Sequence, residues 1–460
     1  MNVIEVTVPD MMQAREARFM MQQAMLARYP GAGLVCLTMN IAGPVKTTPA
    51  IERAFSWGME QIRAVLAGSR LLFEADIHEK TGPEAVFVFD GDAREVKRRL
   101  CLLEDGCQMG RLLDIDVIKQ DGEKIARTQI GLPARKCLLC GQDAPVCARS
   151  RTHTVKELFA RTHEIIDAHF AAAYAKKTAQ QAQRALLYEV TITPKPGLVD
   201  RANAGAHADM DIFTFIDSAC ALREYFEACA RIGMDFRGKE PKRCFDALRT
   251  PGLMAEAAMK HATGGVNTHK GAIFSLGIYC AALGMGYDGN GSDVQAALVR
   301  CGEMTRERMA QELERIDAQQ ARTFGEEIYQ KSRIGGVRAE AASGFAAVRE
   351  DSLIMLRNAL EAGLSLNDAG LCALIALMAR TQDTNAVRRG GEKAAACLRE
   401  EAEKLKQRIV SDLHAGKLAH RMDLIREELE KWDEAMSEKR ISPGGCADLL
   451  ALTLLAEFME

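Results

Sequence analysis

The repeat of apolar residues changes character at Thr154. Beyond it, segment after segment places apolar residues at three- and four-residue spacing, as amphipathic helices do, and almost no alternating run survives to Glu460. Before it the periods are mixed. Val3–Val8 alternates as a strand, and Met11–Arg28 reads as a helix opened by Asp10 at a cap position. Leu34–Ile41 is strand-like up to the Gly43-Pro44 break, and Pro49–Leu66 is helical with proline in its first turn. Ala85–Phe89 is a short buried strand, Ala93–Leu103 a helix and Arg111–Val117 a strand, with Gly122 turning into a hairpin partner over Lys124–Thr128. A multidomain chain follows: an N-terminal α+β domain, for which a nucleotidyltransferase-like fold is one form, then a larger all-α domain. The join falls in the Ala/Gln/Lys-rich 175–182 stretch, itself helical, giving domains 1–178 and 179–460.

A chain of 460 residues is too long for one ordinary core. A net charge of −3 provides no basic field for nucleic acid. There is no apolar run of about 18 residues to span a membrane, and Met1–Arg18 lacks the apolar centre of an export signal. The 14 cysteines, several on helix-like segments (Cys220, Cys229, Cys280, Cys372), then read as reduced thiols of a cytoplasmic protein.

Chemistry concentrates in a few places. Within Gly110–Val117, Asp114 and Asp116 stand two residues apart in an apolar run. On a strand both carboxylates leave on one face, where they repel unless a cation lies between them. Magnesium, with its preference for oxygen ligands and substrate phosphates, is the natural ion; an edge strand with one wet face is the plain alternative. In the helical part the breaks at 193–211, 263–271, 284–291, 333–345, 381–391 and 441–446 are rich in glycine and reactive side chains. Thr263-Gly264-Gly265-Val266-Asn267-Thr268-His269-Lys270-Gly271 opens an apolar helix, whose free N–H groups and dipole would suit a phosphate. Lys195, Arg338, Arg389, Asn385, Gly444 and Gly445 recur in the same kind of setting. Asp200, Asp209, Asp211 and Asp383 are metal-ligand candidates. Any single loop is explained by turn preferences alone, but five loaded loops point to an anionic ligand.

Three motifs weigh less. Gly284-Met285-Gly286-Tyr287-Asp288-Gly289 spells a dinucleotide fingerprint but follows a helix-like run. Gly43-Pro44-Val45-Lys46-Thr47-Thr48 lacks the leading glycine of a phosphate loop. Cys137, Cys140, Cys147 and His153 have ligand types that suit Zn2+, but one cluster without a second knuckle favours core thiols.

Residues Thr38–Lys46, Arg111–Val117, Arg135–Cys140 and Cys147–His153 resemble the apo-citrate lyase phosphoribosyl-dephospho-CoA transferases. Pro194–Met210, Thr263–Gly271, Gly335–Ala341, Asp383–Gly391 and Ser442–Leu450 resemble the triphosphoribosyl-dephospho-CoA synthases, except that Cys446 stands where serine is expected. The resemblance implies a bifunctional transferase. The helical domain would join ATP to 3′-dephospho-CoA with loss of adenine. The first domain would pass the product to a serine of the citrate lyase acyl carrier (gamma) subunit with loss of diphosphate. It implies Mg2+ on Asp114 and Asp116 in the first domain, with Arg111 on the leaving diphosphate, and Asp209 and Asp211 as metal ligands in the second. Asp200 would stabilise the ribosyl cation, and His207 and His269 would move protons. Lys195, Gly264, Gly265, Asn267, Lys270, Arg338, Asp383, Asn385, Arg389, Gly444 and Gly445 would hold the nucleotide. Two other readings are the equivalent enzyme for malonate decarboxylase and a non-catalytic factor that docks on the carrier subunit.

Overall fold

The computed structural model describes residues 4–318, 321 and 324–460. It divides into two compact units, residues 1–170 and 171–460.

In the first unit four strands, β1 (Gly33–Met39), β2 (Arg70–Glu79), β3 (Gly82–Asp90) and β4 (Leu113–Ile118), form one antiparallel sheet in the order β2-β3-β1-β4. Helices α1 (Val8–Arg28), α2 (Pro49–Leu66) and α3 (Ala93–Gly106) cover it. The odd-numbered residues of β1 and β4 (Val35, Leu37, Leu113, Ile115, Val117) pack with Phe55, Ile62 and Leu100 of α2 and α3. The even-numbered Leu34, Cys36 and Ile118 pack with Leu26 of α1. A short helix α4 (Ala144–Ser150) precedes α5 (Val155–Thr191), which is continuous across the unit boundary.

Several expected boundaries move. Val3 lies outside the described residues; Ile4–Thr7 form no strand, and Val8 already belongs to α1. A capping box explains this: Thr7 accepts from the Asp10 N–H while the Asp10 carboxylate accepts from the Thr7 N–H, so the cap is Thr7 rather than Asp10. Strand β2 was not expected; it is a largely exposed edge with a bulge between Leu71 and Phe73, which blurs its alternation. The hairpin partner over Lys124–Thr128 reduces to one bridge, Ile118 to Lys124, before a 3-10 turn at Arg127–Ile130.

The second unit is helical: α6 (Ile212–Ala221), α7 (Arg223–Asp235), α8 (Pro241–Ala247), α9 (Arg249–Ala262), α10 (Lys270–Gly286), α11 (Val294–Ala318), α12 (Phe324–Ser332), α13 (Gly336–Ala342), α14 (Leu353–Glu361), α15 (Leu366–Arg380), α16 (Thr384–His414), α17 (Leu418–Glu438) and α18 (Gly444–Met459). Helices α10, α15 and α18 are buried on nearly every side, and amphipathic helices surround them. Gly284, the first glycine of the dinucleotide-like motif, is a packing residue inside α10. Its absent side chain admits α7, because a Cβ there would lie 2.1 Å from the Ala230 carbonyl oxygen. Gly233 of α7 does the same from the other side, with 2.0 Å to the Ala281 oxygen.

This close approach sets a test. Alanine is the better helix former by about 1 kcal/mol, yet Gly233→Ala must push two backbones apart. We expect a net loss of about 1–3 kcal/mol, read as a lower urea midpoint for the helical unit.

Candidate functional sites

In the first unit β4 presents Asp114 and Asp116 on one face, opposite Thr38 and Cys36 of β1, while Leu113, Ile115 and Val117 are buried on the other. Asp114 is exposed and Asp116 half-buried. Lys124 forms an ion pair with Asp116, and no ion pair engages Asp114 among the described residues. Glu84 of β3 is held by Arg18 of α1, whose Nε donates to it at 2.8 Å. Lys46 Nζ donates to the Ile41 carbonyl at 2.5 Å; burial, then Arg15, lowers its pKa. Sequence reasoning gave Glu84, Lys46 and Lys124 no role, since each lies on a different segment from the acidic pair. Arg111 bonds to neither aspartate: its guanidinium donates to the carbonyls of Lys136 and, at 3.2 Å, Cys137.

In the second unit the loop at 200–207 converges with the starts of α16 and α18. His207 lies between Arg389, 3.2 Å from Nδ1, and Ser442, whose hydroxyl is 3.0 Å from Nε2. Because arginine only donates, Nδ1 accepts and the ring proton sits on Nε2. Burial, then Arg389, pushes the His207 pKa down, against a pull from Asp209. Arg389 also donates to the Ala206 carbonyl at 3.0 Å. Asp383 caps two helices. One oxygen accepts from the Asn385 and Ala386 N–H groups at 2.7 and 3.0 Å, and the other from the Cys446 N–H at 2.9 Å. Burial raises its pKa, opposed by those three amides. Gly444 and Gly445 are required here, since a Cβ would meet Asn385 Nδ2 at 3.0 Å and Asp383 Oδ2 at 2.9 Å respectively. A cavity of about 240 Å³ opens beside Asp383, Thr381 and Cys446. Gly336 brings the α13 loop to Thr384, within 2.9 Å of a built Cβ, and Arg338 pairs with Glu312 at 3.2 Å.

Asp448, within the Ser442–Leu450 stretch, is a further acidic residue of this region. It lies against the start of α10, where a Cβ on Gly271 would strike its carboxylate and the Ala272 amide favours its charged form. Burial, then Glu189 and Asp383, raises its pKa well above the usual range.

Other expected site residues are occupied elsewhere. Lys195 is fully buried in an ion pair with Glu189 and donates to the Glu189 carbonyl at 2.7 Å, so its ammonium does not face a phosphate. Asp200 is buried and accepts four bonds from Thr193, Lys195, Ala202 and Asn203 at 2.6–3.1 Å. Such saturation makes it the organiser of its own loop. Gly264 and Gly265 close the C-terminus of α9, the Gly265 N–H donating to the Lys260 carbonyl at 2.7 Å, and form no cradle. Asn267 is exposed beside them, and exposed Lys270 pairs with Glu256 at 3.1 Å. Asp211 caps α6 through Thr214, and exposed Asp209 stands apart from the other carboxylates in the sense that no metal-sized group among the described residues includes either.

His269 is buried at the cap position of α10. Its Nδ1 lies 2.6 Å from the Ser218 hydroxyl, which in turn accepts from Thr268 at 2.8 Å. Burial, then Lys195, pushes its pKa down to about 3, which favours the neutral ring near pH 7.

The family described as ATP:dephospho-CoA triphosphoribosyl transferase (CitG) matches residues 175–460, and that described as apo-citrate lyase phosphoribosyl-dephospho-CoA transferase (CitX) matches residues 6–169. Protein CitXG of Leuconostoc mesenteroides subsp. cremoris is 33% identical over 96% of this chain and 94% of its own length. Protein CitXG of Haemophilus influenzae is 33% identical over 98% and 96%. The 2-(5''-triphosphoribosyl)-3'-dephosphocoenzyme-A synthase of Pectobacterium atrosepticum is 39% identical over 60% of this chain and 87% of its own. The chain therefore belongs to the CitXG family, in which a CitX segment is followed in one polypeptide by a CitG segment.

Proposed function

We infer that this chain is a bifunctional transferase that makes the prosthetic-group precursor of citrate lyase and then installs it. The similarity to CitXG proteins along almost the whole chain carries this reading. The CitX match favours citrate lyase over malonate decarboxylase as the recipient. We assign precursor synthesis to residues 179–460 and transfer to residues 1–178.

In the first reaction the 2′-hydroxyl of 3′-dephospho-CoA attacks C1 of the ATP ribose. The C1–N bond breaks, adenine leaves with the hydroxyl proton, and the triphosphate is retained. The convergence of His207, Arg389, Asp383 and Asp448 is the place we assign to it. Arg389 is suited to grip a phosphate, and a neutral His207, its Nδ1 freed when Arg389 turns to that phosphate, to take the hydroxyl proton. His269 would position a substrate group by hydrogen bonding.

In the second reaction a serine oxygen of the carrier subunit attacks the α-phosphorus and diphosphate leaves. Asp114 and Asp116 share one face, with Asp114 exposed, and their oxygens would suit a divalent cation; Mg2+ there would neutralise charge on the phosphates. Lys124, paired with Asp116, is the nearby cation we assign to the polyphosphate. The free thiols and the absence, among the described residues, of a helix able to cross a membrane accord with a cytoplasmic location.

Asp114→Asn or Asp116→Asn should abolish the mass gain of the carrier subunit yet leave adenine release from ATP and dephospho-CoA intact; loss of both would contradict separate sites. His207→Ala should lower adenine release by about 10²–10⁴-fold. Because burial and Arg389 keep His207 below its ordinary pKa of 6.5, activity should persist as pH falls through 6.5 and be lost only below it. An acid limb above 6.5, removed by Arg389→Gln or not, would exclude His207 as the base.

A further inference from the structure

The segment from Arg135 to His153 supplies no group to either reaction as assigned above, yet it is built in detail. Cys137 donates its N–H to the Gln142 carbonyl at 2.8 Å, and the Ala144 N–H donates to the Arg135 carbonyl at 2.7 Å, so Cys137 and Cys140 sit on a tight hairpin turn. Cys147 lies on α4, the helix that follows at once. Arg151 ends that helix with a left-handed φ of 48°, and the Thr152 N–H donates back to the Cys147 carbonyl at 3.3 Å. The reversal returns His153 to the turn. As a result one ligand atom from each of Cys137, Cys140, Cys147 and His153 lies within 4.8 Å of every other.

Two observations separate this group from ordinary buried thiols. His153 Nε2 is buried with no hydrogen-bond partner, which burial among thiols does not explain and a metal bond would. The Leu139 N–H points at Cys137 Sγ at 3.4 Å, the kind of donor that supports a metal-bound thiolate. All the cysteines are unpaired, so no disulfide competes for the sulfurs.

We propose that Cys137, Cys140, Cys147 and His153 bind one structural zinc ion. Three sulfurs and one nitrogen are a closed tetrahedral set, leaving no position for substrate. Ligands about 2.0–2.3 Å from the metal are separated by about 3.3–3.8 Å, so the group closes on the ion by small side-chain movements. Three thiolates and neutral imidazole around Zn2+ carry one net negative charge, and Lys136, Arg149 and Arg151 are chain neighbours of opposite sign.

The ion would fix more than its own loop. The carbonyls of Lys136 and Cys137 hold the Arg111 guanidinium, and Arg135 donates to the Leu113 carbonyl at 2.8 Å. Both anchors lie at the start of β4, directly before Asp114. The zinc loop thus positions the strand that carries the acidic pair; this consequence, unlike the site itself, rests on the transferase reading above.

Metal content decides the proposal without any assay of activity. The full chain, purified without chelator, should contain about one zinc per molecule by mass spectrometry of the elements, and Cys140→Ser with Cys147→Ser should reduce it to background. Cys107→Ser, an exposed cysteine outside the group, should keep it. Cobalt substituted for zinc should give the visible absorption of tetrahedral thiolate-bound Co(II), which reports the ligand set even where a variant folds poorly. Native protein free of metal, iron in place of zinc, a disulfide among the three cysteines, or zinc retained by the double variant would each overturn it. If the site is real but carrier modification survives zinc loss, only the link to β4 fails.

Discussion

Asp383 is the interaction on which the helical unit's polar centre depends. Helices α16 and α18 begin side by side, and each start leaves backbone N–H groups without intrahelical partners. One buried carboxylate answers both, bonding Asn385 and Ala386 on one helix and Cys446 on the other. A single cap contributes about 0.5–2 kcal/mol, and here the same side chain also fixes the spacing between two helix starts. Gly444 and Gly445 follow from it, because the chain passes too close to Asp383 and Asn385 for side chains. Ser442 and Arg389, at the same two helix starts, are thereby brought to His207.

The site is consequently a meeting of buried helix ends. Helix α10 adds a third start, against which Asp448 lies. Three positive dipole ends in one region favour an anion, while burial disfavours ionisation of Asp383, Asp448 and Glu189, with Glu189 and Asp383 adding repulsion at Asp448. The Lys195 ammonium is matched by Glu189 inside the core, so it adds no net charge at the binding surface. This pairing explains why a lysine in a Pro-Lys-Pro-Gly loop does not face ligand.

The sequence was most readable where local pattern and tertiary role coincide. Pro49–Leu66 has the same limits by periodicity and in the structure, and the Asp-x-Asp alternation correctly implied one shared face because β4 is buried on the other. It was least readable where a polar residue has two plausible jobs. Gly264-Gly265 before an apolar helix looks like a phosphate cradle, but the same residues also terminate α9, and only the Gly265 to Lys260 bond distinguishes the two. Asp200 and Asp211 look like free carboxylates until their hydrogen bonds are traced to nearby turns. The partners of His207 are 182 and 235 residues away, beyond any local signal. At Cys137 to His153, spacing alone did not reveal that a left-handed Arg151 folds the histidine back to the cysteines.

Helix α5 runs unbroken through the division between the units, its Ile165 and Ile166 packed in the first core and its Ala179, Ala182 and Leu186 in the second. A protease or an engineered stop acting at Phe170 would therefore not release two finished enzymes. Each fragment would inherit half of a severed rod, with a raw end of unsatisfied backbone and no capping residue placed there to heal it. Separating the two activities in the course of evolution thus calls for rewriting this one segment, more than for loosening a linker.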